Sequence, residues 1–120
     1  MFLLKSVRSS GLAALKFQVE FTDPAVQDLR EIFRWVSAND SKEKATKLLV
    51  KLQKAADSLS ALPNRGHLVP EINSILQGYL EIIEGPYRVL YQILAQKVII
   101  VAVLDGRRNM PELLEKRLLG

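Results

Sequence analysis

Hydrophobic and polar residues follow different periods along the chain, and each period predicts an element. In "KFQVEF" (16–21) every second residue is apolar, which predicts a strand with one buried face. In the stretch "TDPAVQDLREIFRWVSAND" that follows, apolar residues recur every three or four positions, as they do along one face of a helix. Thr22 or Asp23 can cap this first helix, which we expect to end near Ala38.

A second helix is predicted directly after the first. Asp40 and Glu43 have the spacing of a capping box, and apolar residues then repeat on one face to about Ala61. Because only a few residues separate the two helices, we expect them to form an antiparallel hairpin. Pro63 ends the pair.

The rest of the chain predicts β-structure and a short terminal helix. A loop-like segment over 63–78 precedes three strands, in "YLEII", "YRVLYQIL" and "KVIIVAVL", which we expect to form an antiparallel meander. Asn109 can cap a last short helix. The predicted fold class is therefore α+β: an N-terminal strand, a helix hairpin, a β-meander and a short C-terminal helix, with residues 17–120 in one domain.

The strand "YRVLYQIL" has two different faces. Alternation places Tyr87, Val89, Tyr91 and Ile93 on the first face, and Arg88, Leu90, Gln92 and Leu94 on the second. Since the first face is aromatic and β-branched, we expect it to rest on the helix hairpin. The neighbouring "VIIVAVL" shows no alternation, which is typical of a strand covered on both sides. One hairpin covers only one side, so we expect an apolar groove to stay open on the second face until a partner segment fills it.

Arginines make this predicted groove a candidate binding site. Arg88 interrupts an apolar strand, and Arg107 and Arg108 follow the next one. Guanidinium groups placed in this way can clamp a phosphate or pair with carboxylates on a docked peptide, and their spacing does not decide between the two. The structural alternative for Arg88 is an ion pair with Glu81 across the hairpin.

Composition and charge mainly exclude functions. The chain has no cysteine, which rules out a disulfide framework, a thiolate metal site and a catalytic thiol. No apolar run approaches the ~20 residues of a membrane-spanning helix, so we expect a soluble protein. The absence of cysteine agrees with a reducing cytoplasm, and we expect neither a cofactor nor a metal. Residues 1–16, interpreted as a leader or extension, carry three basic residues and no acid, which leaves 14 basic and 13 acidic residues in the domain. A broad nucleic-acid-binding surface is therefore not expected.

Three segments carry a resemblance to a known family. They are "FTDPAVQDLREIFRWV", "SLSALPNRGHLVPEI", and "GPYRVLYQI" followed by "VLDGRRN". Over residues 17–109 the chain resembles the RelE/ParE superfamily of toxins from type II toxin–antitoxin modules, and within it the ParE-like branch. The resemblance implies a toxin of a plasmid-stabilising module, neutralised by a small antitoxin whose C-terminal segment lies across the sheet. Such a toxin contacts DNA only indirectly, through its antitoxin.

The two branches of this superfamily differ in activity: ParE-type toxins poison DNA gyrase, and RelE-type toxins cut messenger RNA on the ribosome. Arg88 and Arg108 match the two arginines of the RelE-type, metal-independent endoribonucleases. Glu81 stands where a lysine is expected, and Leu114 stands where a tyrosine is expected. A carboxylate repels the scissile phosphate, and leucine cannot transfer a proton, so both replacements argue against ribonuclease activity. This favours the ParE-like, non-enzymatic interpretation. Leu80 replaces an arginine common in ParE-like toxins, which leaves a non-toxic family member, active only in the antitoxin complex, as a third hypothesis.

The residues predicted to contact the target or the antitoxin are Glu81, Arg88, Leu90, Gln92, Arg107, Arg108 and Trp35. Trp35 in the first helix is either a core residue or a partner anchor. His67, the only histidine, is interpreted as a solvated loop residue. Four lysines along the second helix are interpreted as a solvated face: Lys44, Lys47, Lys51 and Lys54.

Overall fold

A computed structural model describes residues 16–120 of the chain, and its elements follow the predicted α+β order. They are β1 (Gln18–Phe21), α1 (Asp23–Asn39), α2 (Lys42–Asp57), β2 (His67–Leu68), β3 (Leu80–Glu84), β4 (Tyr87–Leu94), β5 (Lys97–Asp105) and α3 (Met110–Leu114), which continues as a π-helical turn over Glu115–Leu119. The predicted leader lies, apart from Lys16, outside the described residues. No helix in the described part of the chain is both long enough and apolar enough to cross a bilayer.

The helix caps largely follow the sequence pattern. Thr22 caps α1, since its side chain accepts a hydrogen bond from the Ala25 N–H at 3.2 Å. The predicted cap of α2 is wrong by one residue: Ser41, and not Asp40, accepts from the Lys44 N–H, at 3.0 Å. The Asp40 carboxylate instead pairs with the Lys44 ammonium group at 3.4 Å, an exposed contact that contributes little to stability.

The five strands form one sheet in the order β1-β5-β4-β3-β2. The three long strands β3, β4 and β5 are the predicted antiparallel meander. At one edge β1 lies parallel to β5, with Gln18 opposite Lys97. At the other edge is β2, which the sequence analysis assigned to a loop because two residues are too short to show a period.

Strand β5 contains a β-bulge, and both of its faces are buried, which is why its sequence does not alternate. Val101 is an extra residue with no partner on β4. Ile100 before the bulge and Val103 after it both bury in the core beneath the helices, whereas Ala102 and Leu104 bury on the opposite face. The bulge therefore shifts the alternation by one residue, and both faces of β5 are covered.

The first face of the sheet packs against the helix hairpin, as predicted. Tyr87, Val89 and Tyr91 of β4 are buried in one core together with Leu29 of α1 and Leu52 of α2. The two helices lie side by side on this face of the sheet because their apolar stripes pack against these β-branched and aromatic side chains.

The second face is also covered, so the predicted open apolar groove is wrong over much of its length. Val69 and Ile72, in the segment that joins β2 to β3, and Leu114 of α3 bury in a second core with Leu90 of β4, which is 0 % exposed. The segment 69–76 reads as a loop in the sequence. It nevertheless folds back on the sheet through its own backbone turns, such as the 2.7 Å bond from the Leu76 N–H to the Ile72 carbonyl.

Candidate functional site

Two of the predicted site residues, Arg88 and Glu81, belong to a charged cluster on the second face. We call it the Arg88 cluster; it consists of Arg88, Glu81, Glu71 and His67. Arg88 Nε donates to Glu81 Oε1 at 2.7 Å, and the two terminal nitrogens donate to the two oxygens of Glu71 at 2.8 and 2.6 Å. His67 Nε2 lies 2.8 Å from the other oxygen of Glu81. The bidentate geometry is the strong form of an arginine–carboxylate pair.

The low exposure of Arg88 and Glu81 indicates that these two residues of the cluster have a structural role. The side chains of Arg88 and Glu81 are 11 % and 2 % exposed. The hydrogen bonds from Arg88 hold the pKa of Glu71 below its ordinary value, and the same bonds raise the pKa of Arg88. With carboxylates on all three of its nitrogens, Arg88 is neutralised by its own chain. A phosphate or a partner carboxylate reaches it only by displacing Glu71.

Local geometry fixes the Arg88 side chain as well. It stands on β4 opposite Ile83 of β3, and its stem crosses the turn after β5. A Cβ atom placed on Gly106 would lie only 2.8 Å from Arg88 Cδ, so glycine is the residue that leaves room for the stem. The prediction for His67 is confirmed in part: its side chain is 58 % exposed, but the residue lies in β2 and not in a loop, and its Nε2 contacts Glu81.

Trp35 and Arg108 lie elsewhere, in a groove of about 440 Å³ that we call the α1–β5 groove. It is lined by Glu31, Ile32 and Trp35 of α1, by the end of β5 from Val103 to Asp105, and by Arg108 and Leu113. The Trp35 side chain is 64 % exposed at its rim. Of the two roles that the sequence left open for Trp35, a core residue or a partner anchor, this exposure excludes the core.

Arg108, which lines the groove, and its neighbour Arg107 differ in their partners. Arg107 forms a fork with Asp105, with Nε–Oδ1 and Nη2–Oδ2 distances of 2.9 and 2.7 Å, and this contact lowers the pKa of Asp105. Arg108 has no ion-pair partner within residues 16–120. The exposed guanidinium of Arg108 is therefore available to an anionic group from outside.

One wall of the groove contains Asp28, which forms a partly buried ion pair with Arg117 that sequence reasoning missed. Arg117 donates to both oxygens of Asp28 at 2.8 and 2.5 Å, and Asp28 raises the pKa of Arg117. Asp28 also accepts from the Val103 N–H at 2.9 Å, and Arg117 reaches the Val101 carbonyl at 3.3 Å. The sequence does hold a signal for both residues. Asp28 stands on the apolar stripe of α1, and Arg117 stands within the leucine-rich C-terminal stretch.

The predicted site residues are thus divided between two places. Glu81 and Arg88 are buried in the Arg88 cluster, and Gln92 is half-buried further along β4. Trp35, Arg107 and Arg108 are exposed, and Trp35 and Arg108 line the α1–β5 groove. Leu90 is fully buried beneath the segment 69–76 and α3, which leaves none of its side chain exposed to a partner.

Sequence comparisons place these features among known proteins. A family model described as the ParE toxin of type II toxin–antitoxin system, parDE, matches residues 19–110. Toxin ParE3 of Caulobacter vibrioides is 30% identical over 96 residues, which cover 80% of this chain and 93% of that protein. Both the Arg88 cluster and most of the groove fall within the matched residues.

Solved structures show the same fold. A chromosomal ParDE toxin–antitoxin system from P. aeruginosa matches with a TM-score of 0.61 and 21% identity, over 71% of this chain and 90% of that one. The toxin–antitoxin complex RelBE2 from Mycobacterium tuberculosis matches with a TM-score of 0.59 and 25% identity, over 76% and 92% of the two chains.

Proposed function

Because this chain belongs to the ParE toxin family of type II toxin–antitoxin systems, we propose that it is the toxin of such a module and inhibits DNA gyrase in the cytoplasm. In this proposal a cognate antitoxin binds the toxin and neutralises it, and the module stabilises the plasmid or chromosomal segment that carries it. The toxin acts by binding a protein and has no catalytic residues of its own.

The state of Arg88 is the observation that carries this proposal. A metal-independent ribonuclease needs preorganised cationic groups that face the scissile phosphate. Arg88, the first arginine of that arrangement, is held by Glu71 and Glu81, which would repel a phosphate at the same place. Leu114, where the ribonucleases have a tyrosine, is fully buried. These features support a toxin that binds its target over one that cleaves RNA.

The exposed part of the candidate site supports a protein partner. Tryptophan and arginine are enriched among the residues that dominate protein–protein binding energy, and Trp35 and Arg108 are both exposed at the α1–β5 groove. One solved relative is described as a toxin–antitoxin system and another as a toxin–antitoxin complex, which agrees with an antitoxin as one such partner.

Induction of the chain in growing bacteria without its antitoxin tests the proposal. We expect growth arrest together with the DNA-damage response and gyrase-linked DNA breaks, and we expect co-expression of the antitoxin to prevent all three. Messenger RNA from the same cultures is mapped for cleavage. Rapid message cleavage without DNA damage would contradict gyrase inhibition and favour the endoribonuclease. Normal growth with folded protein would favour a non-toxic family member.

A purified system isolates the target. The toxin is added to DNA gyrase in a supercoiling assay, with and without a molar excess of antitoxin. We expect inhibition that the antitoxin reverses. Full supercoiling activity at a large excess of folded toxin would contradict the proposed target.

A further inference from the structure

The β5 strand has a free edge where it extends past β1. The last pair of the parallel ladder joins Phe21 to Ile100, and the Thr22 N–H then donates to the Ile100 carbonyl at 3.0 Å. β5 continues to Asp105. Within the described residues no strand pairs with 101–105 on this side of β5.

The direction of the backbone groups on this edge follows from the ladder on the other side. The Val103 N–H donates to Asp28 and not to β4, so Val103 and its partner Val89 form the non-hydrogen-bonded kind of antiparallel pair. The Val103 carbonyl and the Asp105 N–H therefore also point away from β4. The Gly106 N–H bonds the Pro86 carbonyl at 2.8 Å on the β4 side, as this alternation requires.

The chain itself satisfies part of this edge. The Asp28 carboxylate accepts a hydrogen bond from the Val103 N–H, and the Arg117 guanidinium donates one to the Val101 carbonyl. The Val103 carbonyl and the Asp105 N–H open instead toward the α1–β5 groove, which both residues line. A donor and an acceptor on one strand edge are the groups that an added extended chain pairs with.

Side chains around the edge define what such a segment must carry. Trp35 offers an exposed aromatic surface, and Arg108 offers a cation with no ion-pair partner in residues 16–120. α1 forms a wall beside the edge, so the groove of about 440 Å³ has room for a few residues of one extended chain and not for a second copy's sheet with its own helices. The complementary occupant is an extended segment with an apolar residue and a carboxylate.

We propose that the antitoxin places an extended segment in the α1–β5 groove, pairs it with the main chain of Val103 and Asp105, and sets a carboxylate against Arg108 and an apolar side chain against Trp35. This inference rests on the proposed function, because it takes the antitoxin as the partner. It adds the surface, the backbone groups and the chemistry of the recognised segment.

Amide hydrogen exchange of the toxin, free and in complex with its antitoxin, tests the backbone pairing. We expect the Asp105 amide to exchange at least about tenfold more slowly in the complex than in the free toxin, since it gains a carbonyl acceptor. Unchanged exchange of Asp105 in a complex that forms and neutralises the toxin overturns this inference and leaves the proposed function standing. Absence of any complex overturns both. Protection that grows with toxin concentration alone assigns the edge to a second copy and overturns the inference.

The Arg108→Glu variant tests the proposed pairing of Arg108 with an antitoxin carboxylate, and Lys51→Glu is the matched control. Both residues are exposed, and both variants change the charge by the same amount, but Lys51 lies on α2, which does not line the groove. We expect Arg108→Glu to weaken the Kd for the antitoxin about tenfold or more and Lys51→Glu to leave it unchanged. Equal binding by the two folded variants contradicts a carboxylate at Arg108.

Discussion

The Arg88 cluster and the α1–β5 groove both combine arginine with apolar surroundings, but they have opposite characters. In the cluster, Arg88 is buried and neutralised by two carboxylates of its own chain. In the groove, Arg108 is exposed and without an ion-pair partner in the described residues. The difference comes from Glu71, which lies 17 positions before Arg88 in the sequence. The availability of an arginine to a ligand is therefore decided by which distant carboxylates the fold brings to it.

Substitution of the two arginines should separate these characters most clearly. We expect Arg88→Ala to lower the free energy of unfolding by about 3 kcal/mol or more, because it leaves the buried carboxylate of Glu81 without its cation. Arg108→Ala should change it by less than about 0.5 kcal/mol. Urea unfolding followed by circular dichroism measures both. Similar losses for the two variants would remove the distinction between a structural and an available arginine.

The buried pair beside the groove provides an intermediate case. Asp28→Ala should cost about 2 kcal/mol of unfolding free energy, because it strips Arg117 of its partner and leaves the Val103 N–H unsatisfied. Glu31→Ala is the control, since Glu31 lies one turn later on the same helix and is exposed; we expect a change below about 0.5 kcal/mol. Thermal or urea unfolding of the two variants checks this prediction. An Asp28→Ala variant as stable as the unmodified chain would show that the Asp28–Arg117 contact adds nothing to stability.

The Glu71 bond to Arg88 should give the cluster an acid-sensitive stability. Arg88 lowers the pKa of Glu71, so this bond contributes fully above the ordinary glutamate pKa of about 4.3 and is lost as the pH falls through the lowered value. We expect Glu71→Gln to be less stable than the unmodified chain by about 1 kcal/mol at pH 7. The difference should shrink as the pH approaches 3. A difference that stays constant between pH 7 and 3 would assign it to a cause other than the Glu71 charge.

Trp35 should show the smallest effect on stability and a clear effect on fluorescence. It is the only tryptophan and is 64 % exposed, so Trp35→Ala should change the unfolding free energy by less than about 0.5 kcal/mol. In the unmodified protein we expect iodide to quench its emission readily, and bound antitoxin to protect it. Emission that iodide does not quench in the free protein would place Trp35 in a closed environment.

The predictable parts of the fold are the elements that show a period over many residues. Both helices and β4 follow from the sequence because each repeats one period along its length, and β3 and β5 follow from short runs of apolar, mostly β-branched residues. Thr22 follows from its residue type, since it stands directly before the first helix. The two-residue strand β2 has no such pattern. The bulge at Val101 leaves no signal in the all-apolar sequence of β5 and is visible only from the register with β4.

The candidate site could be predicted less completely, for a physical reason. Arg88, Arg108 and Trp35 stand out individually as charged or aromatic residues in apolar or helical segments. Their grouping depends on tertiary contacts. Glu71 comes from a segment without a period, and Trp35 and Arg108 line one groove because β1 pairs with β5 and so brings α1 beside its free edge. The open groove expected on the second face was wrong because the segment 69–76 was not predicted to pack there.

Arginine-specific modification with phenylglyoxal, followed by peptide mapping, tests the contrast between the two regions most directly. In the native toxin we expect Arg108 to react and Arg88 to be spared, with both reacting in urea; in the antitoxin complex Arg108 should be spared as well. Reaction of Arg88 in the native protein as fast as Arg108 would contradict the account.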